Sequence, residues 1–66
     1  MTVTLNGEPH LAAAAMSLAD AVALLTTKPS GVAAALNGEV IRRADWPRTP
    51  LADGDDVEIV TAVQGG

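Results

Sequence analysis

Residues 51–66 read LADGDDVEIVTAVQGG: a turn, a strand and a bare glycine end. Val57, Ile59, Thr61 and Val63 fall on one face of an extended segment, and Glu58, Val60, Ala62 and Gln64 fall on the other. That period of two, rich in β-branched residues, predicts a strand. Gly54, inside Asp53-Gly54-Asp55, supplies the permissive backbone that a tight lead-in turn requires. With only Gln64 between, the strand then runs into Gly65 and Gly66. Glycine loses more conformational freedom on ordering than any other residue, so this pair predicts an extensible tail able to enter a narrow channel. No Cβ crowds the carboxylate of Gly66. A terminal carboxylate is ionised at neutral pH and is a poor acyl electrophile, so acyl chemistry at Gly66 requires activation by a partner.

Outward from this stretch, the rest of the chain supplies neighbours for the strand. Thr2–Leu5 alternates, with Val3 and Leu5 on one side, and Asn6-Gly7 separates it from a second extended piece, Glu8–Leu11. Asn-Gly between such runs predicts a hairpin with a type I′ turn. Pro9 cannot donate to a ladder, which assigns the second strand to a sheet edge. Ala12–Ala15 is a connector that either extends the strand or leads toward a helix. Ser17 suits a helix N-cap, Asp20 sits three residues on, and Leu18, Val22 and Leu25 recur on one helical face. Thr26, Thr27, Lys28 and Pro29 end that helix. Val32, Ala34 and Leu36 alternate up to a second Asn-Gly at Asn37-Gly38, and Glu39–Ile41 returns. Arg42–Pro47 predicts a turn or a single helical turn, with Trp46 as a plug at the rim of a small core.

The order is strand, strand, helix, strand, short strand, strand. A one-sided helix on one face of a mixed sheet of four to five strands satisfies it, an α+β arrangement of the β-grasp type with the apolar last strand near the middle. The expected organisation is a β-grasp domain over residues 1–63 and a flexible glycine tail over 64–66.

Composition excludes several functions. The chain has 66 residues, enough for one small core and no deep interior for a cofactor. Cysteine is absent, consistent with a reducing compartment. Eight acids against four bases give a formal charge of −4, which repels phosphate backbones, and one aromatic residue offers no stacking platform for bases. The N-terminus lacks a signal-peptide pattern, and the apolar run at Leu11–Met16 is too short to span a bilayer. The expectation is a cytoplasmic protein that binds neither nucleic acid nor membrane.

Catalytic chemistry is equally sparse. His10, the single histidine, lies in the predicted edge strand without a patterned acid beside it. Asp53, Asp55 and Asp56 lack the later bidentate acid of a calcium loop, and no other metal spacing, cysteine nucleophile or glycine-rich phosphate loop is present. The expectation is no catalytic residue, no metal and no bound cofactor. What remains is the tail of Gln64, Gly65 and Gly66, with Val60 and Ala62 facing out beside it as a small apolar docking spot that Arg42 and Arg43 could rim.

The whole length resembles the ThiS family, sulfur carrier proteins of thiamine biosynthesis with a ubiquitin-like β-grasp fold. The likeness rests on Asn6-Gly7, the helix opening at Ser17-Leu18, Ala35-Leu36-Asn37-Gly38, Val40-Ile41 followed by Arg43 and Trp46, then Leu51, Asp53-Gly54-Asp55 and Gly65-Gly66. Many members carry a proline where this chain has Arg42, a departure confined to a loop. The resemblance implies that an E1-like, ThiF-like adenylyltransferase uses ATP and magnesium to adenylate Gly66. It further implies that a cysteine-derived persulfide supplies sulfur, and that the Gly66 thiocarboxylate serves a ThiG-like thiazole synthase. The alternatives are a small subunit of molybdopterin synthase, a ubiquitin-like modifier, or a β-grasp interaction module whose tail is idle.

Overall fold

A computed structural model of the chain describes residues 1–26 and 31–61, the latter without the Thr61 side chain. Five strands form one mixed sheet in the order β2-β1-β5-β3-β4. They are β1 (Thr2–Leu5), β2 (Glu8–Leu11), β3 (Val32–Leu36), β4 (Glu39–Ile41) and β5 (Asp56–Thr61). The helix α1 (Leu18–Leu25) covers one face, and a 3-10 helix, Arg43–Arg48, follows β4. β1 runs parallel to β5, while β1–β2, β3–β4 and β3–β5 are antiparallel. This is the expected β-grasp, with the last strand in the middle.

Both hairpins turn on Asn-Gly. Asn6 and Gly7 have φ of 50° and 84°, Asn37 and Gly38 have 52° and 85°, the double positive φ of a type I′ turn. Pro9 sits opposite Thr4 on the edge strand β2, where a missing N–H costs no central ladder bond. His10, also on β2, is exposed. The connector stays in the hairpin for one more step: Ala12 N–H donates to the Met1 carbonyl at 2.8 Å and the Met1 amino group to the Ala12 carbonyl at 3.1 Å.

Ser17 caps α1 as its sequence position predicts. Its Oγ accepts from Asp20 N–H at 3.2 Å, and the Asp20 carboxylate accepts from Ser17 N–H at 2.9 Å, a reciprocal capping box. Thr26, extended at φ −151°, ends the helix, and Thr27, Lys28 and Pro29 lie outside the described residues. Leu25 departs from the predicted buried stripe. Leu18, Ala21 and Val22 are buried, whereas Leu25 is 36% exposed. It overhangs a shallow recess beside Leu5, Glu8, Pro9 and His10, where the exposed edge strand β2 gives it no wall to pack on.

The core joins Val3 and Leu5 of β1, Leu18, Ala21 and Val22 of α1, Ala34 of β3, Val57 of β5, and Trp46 and Leu51. Trp46 is 4% exposed, and its Nε1–H donates to the Ile41 carbonyl at 2.9 Å, so the plug is both packed and satisfied. The start of α1 is tied to the segment before β5: Leu18 N–H donates to Thr49 at 2.8 Å and Leu51 N–H to Met16 at 2.9 Å. Among the described residues no helix is long and apolar enough to cross a membrane.

Candidate functional site: the end of the central strand

The turn before β5 is built by its own acids. Gly54, at φ 87°, donates its N–H to the Thr2 carbonyl at 2.7 Å, and Asp53 Oδ1 accepts from Thr2 N–H at 2.7 Å. Asp55 Oδ2 accepts from Ala52 N–H at 2.7 Å, and Asp55 Oδ1 accepts from Asn37 Nδ2 at 3.1 Å. Carboxylates used this way shape backbone. Among the described residues no group of three acids or histidines is arranged to hold a metal ion.

Both hairpin asparagines reach over to β5. Asn37 N–H donates to the Asp56 carbonyl at 2.7 Å, and Asn37 Oδ1 accepts the Asp56 N–H at 2.9 Å. On the other side Asn6 N–H donates to the Val57 carbonyl at 2.9 Å, and Asn6 Oδ1 accepts the Ile59 N–H at 2.7 Å. β5 is therefore held by backbone and by side chain from both edges as far as the Ile59 N–H, and from there to Thr61 by β3 alone. Sequence reasoning did not find these side-chain bonds. Asn-Gly signals a turn, and the second use of the asparagine depends on a strand 53 residues further along.

Alternation along β5 sorts its two faces. Val57 is fully buried and Ile59 packs against the core under α1. Glu58 and Val60 face away from the helix, with Val60 61% exposed. The pairing register adds Ala33 opposite Val60, Ala35 opposite Glu58, and Val40 opposite Ala35, so Val60 and Val40 belong to one outer apolar patch. Val40 and Ala33 were not anticipated in it. The local hairpin predicts the Ala35–Val40 pair, but nothing local predicts which residue of β3 meets Val60.

The arginines part company. Arg42 pairs with Asp45 at 3.9 Å, on which Arg48 also converges at 3.5 Å, both contacts exposed. Arg43 lines a groove of about 490 Å³ with Ala19, Val22, Ala23, Thr26, Trp46 and Pro47. That groove lies on the helix-covered side of the sheet, so the structure does not bring Arg43 together with Val60. Ala62, Gln64, Gly65 and Gly66 lie outside the described residues.

Known proteins share this fold. The family model described as the ThiS family matches residues 3–66. A sulfur carrier protein ThiS of Thermus thermophilus is 39% identical over 64 residues, which cover 97% of this chain and 98% of that protein. A thiazole synthase of Magnetococcus marinus is 35% identical over 66 residues, all of this chain and 20% of that larger protein. The crystal structure of a thiamine biosynthesis protein, ThiS, from Geobacter metallireducens superposes with a TM-score of 0.85 at 33% identity, covering 100% of both chains. The solution structure of a thiamine biosynthesis protein from the same organism gives 0.77 at 32% identity, covering 100% of this chain and 88% of that one.

Proposed function

The chain belongs to the ThiS family, sulfur carrier proteins of thiamine biosynthesis, and from that premise we propose that its sulfur is carried on the Gly66 carboxylate. The observation that carries this reading is the coincidence of a family match running through Gly66 with a central strand braced from both neighbours as far as the Ile59 N–H and by β3 on to Thr61. A firm base and a small terminal residue let a partner present the carboxylate to ATP from any side.

The chemistry is supplied by partners. An E1-like, ThiF-like adenylyltransferase brings ATP and magnesium; the carboxylate attacks the α-phosphorus and pyrophosphate leaves, which makes Gly66 an acyl-adenylate. The terminal sulfur of a persulfide then attacks the acyl carbon and expels AMP. Cleavage of that acyl disulfide by a thiol leaves a thiocarboxylate, the sulfur donor to a ThiG-like thiazole synthase. The chain itself contributes position, holding the acyl carbon where both attacks occur. Support for the acceptor comes from the protein named a thiazole synthase, one fifth of which is similar to all of this chain.

The outer patch of Val60, Ala33 and Val40 is the docking surface in this reading, since it is apolar and exposed and includes Val60 near the described end of β5. Intact-protein mass spectrometry tests the scheme. After incubation with ATP, magnesium, a sulfur source and the adenylating enzymes of the same cell, the expected result is a gain matching AMP, then replacement of one oxygen by sulfur at Gly66. No mass change with any adenylating enzyme rejects the reading.

A further inference from the structure

The parallel pairing of β1 with β5 stops early. Thr4 and Leu5 face Asp56 and Val57, whereas β3 stays paired with β5 from Leu36 opposite Val57 to Val32 opposite Thr61. Along a strand, alternate residues direct N–H and C=O to the same neighbour. The Asp56 carbonyl accepts from Asn37, so Asp56, Glu58 and Val60 address β3; the Val57 carbonyl accepts from Asn6, so Val57, Ile59 and Thr61 address the β1 side. At Asn6 the backbone turns off toward β2 at φ 50°, and its side-chain Oδ1 takes the Ile59 N–H in place of a ladder carbonyl. One step further there is no β1 left. The Ile59 carbonyl and the Thr61 N–H have no hydrogen-bond partner among the described residues.

These two groups have a specific complement. In a parallel ladder, a carbonyl and the N–H two residues on are satisfied by the N–H and C=O of one residue on the adjoining strand. We infer that this open edge of β5 receives an extended segment of the adenylating partner, running parallel to β5, one residue of which donates to the Ile59 carbonyl and accepts from the Thr61 N–H. The inference rests on the carrier reading, and it names how the partner grips the chain. Strand addition at this edge lies immediately ahead of the tail, so it holds the tail extended as it leaves the domain. Glu58 is exposed on the same strand and the chain carries a formal charge of −4, so the arriving segment is basic.

Thr61→Pro tests the edge, because Thr61 sits at a position not bonded to Val32, and removing its N–H leaves the β3–β5 ladder complete. The Kd for the adenylyltransferase that acts on the wild-type chain is expected to rise about tenfold or more with Thr61→Pro, the loss of roughly 1.4 kcal/mol, and to stay near wild type with Thr61→Val. Amide exchange guards against a merely misfolded variant: in the wild-type complex the Thr61 N–H is expected to exchange slowly, having exchanged fast in the free chain. A wild-type chain that gains no AMP with any enzyme overturns the carrier reading and the edge with it. A chain that is adenylated but shows an unchanged Kd for a folded Thr61→Pro, or an unprotected Thr61 amide in the complex, overturns the edge alone. Protection that appears in the free protein as a dimer forms assigns the edge to a second copy, and also overturns it.

Discussion

Asn6 and Asn37 act alike on opposite edges of one strand. Each occupies the first left-handed position of its turn, and each places a side-chain oxygen on a β5 amide: Ile59 at 2.7 Å and Asp56 at 2.9 Å. The turn role was legible in the sequence, because it depends on two adjacent residues. The bracing role was not, because it depends on where β5 lies. Two substitutions separate them. Asn6→Gly keeps the positive φ and deletes the oxygen, and its expected cost is about 1–3 kcal/mol for an unsatisfied amide. Asn6→Ala adds the strain of a Cβ in the left-handed region, roughly another 1 kcal/mol. Urea denaturation followed by the fluorescence of Trp46, the single tryptophan, measures both; Asn6→Gly within experimental error of wild type would show that the bond to Ile59 contributes nothing. At the other end of the sequence, Gly66→Ala adds one methyl beside the carbon proposed to react. Adenylation is expected to slow by about tenfold or more, equivalent to roughly 1.4 kcal/mol of barrier, with an unchanged unfolding midpoint. Unaltered adenylation kinetics would remove steric access as the reason for glycine.

Elements were legible in proportion to how local their causes are. Both hairpins, the Ser17 cap and the six-residue run through Trp46 follow from neighbouring residues, and the structure has all of them. Leu25 shows the limit. Its helical position satisfies the apolar period, yet the face it occupies passes the edge of the sheet, where β2 is exposed along its whole length. Ala21 fills the core place instead. The outer patch shows the same limit in the sheet, since pairing Ala33 with Val60 requires the register of two strands far apart in sequence. Capping gives the element-scale prediction. Ser17→Ala removes the acceptor of the Asp20 N–H and is expected to cost about 1 kcal/mol, while Ser17→Asp retains a cap and most of the stability. Thermal unfolding by circular dichroism reads the difference. Equal midpoints for wild type and Ser17→Ala would mean that the contacts of Leu18 and Leu51 with Thr49 and Met16 fix the start of α1 unaided.

At the scale of the molecule, the carrier reading expects a domain that stands without its last two residues. Every described core residue lies between Val3 and Val57, and the last described ladder pair is Val32 with Thr61. The core built by the described residues is extensive, and the carrier reading asks the glycines for chemistry and not for packing. Deleting Gly65 and Gly66 is therefore expected to leave the urea midpoint and the Trp46 fluorescence unchanged. The same deletion removes the acyl carbon on which the carrier chemistry depends, so no AMP adduct and no thiocarboxylate should form. The decisive comparison is binding set beside turnover. If the chain is a carrier, the form without its last two residues is expected to dock still through the proposed Val60 and Val40 patch but to support no thiazole formation when mixed with adenylyltransferase, persulfide donor and thiazole synthase. An interaction module, whose tail is idle, would support its partner equally well after the deletion. Full activity of the truncated chain would therefore leave the fold untouched and reassign the function to the sheet.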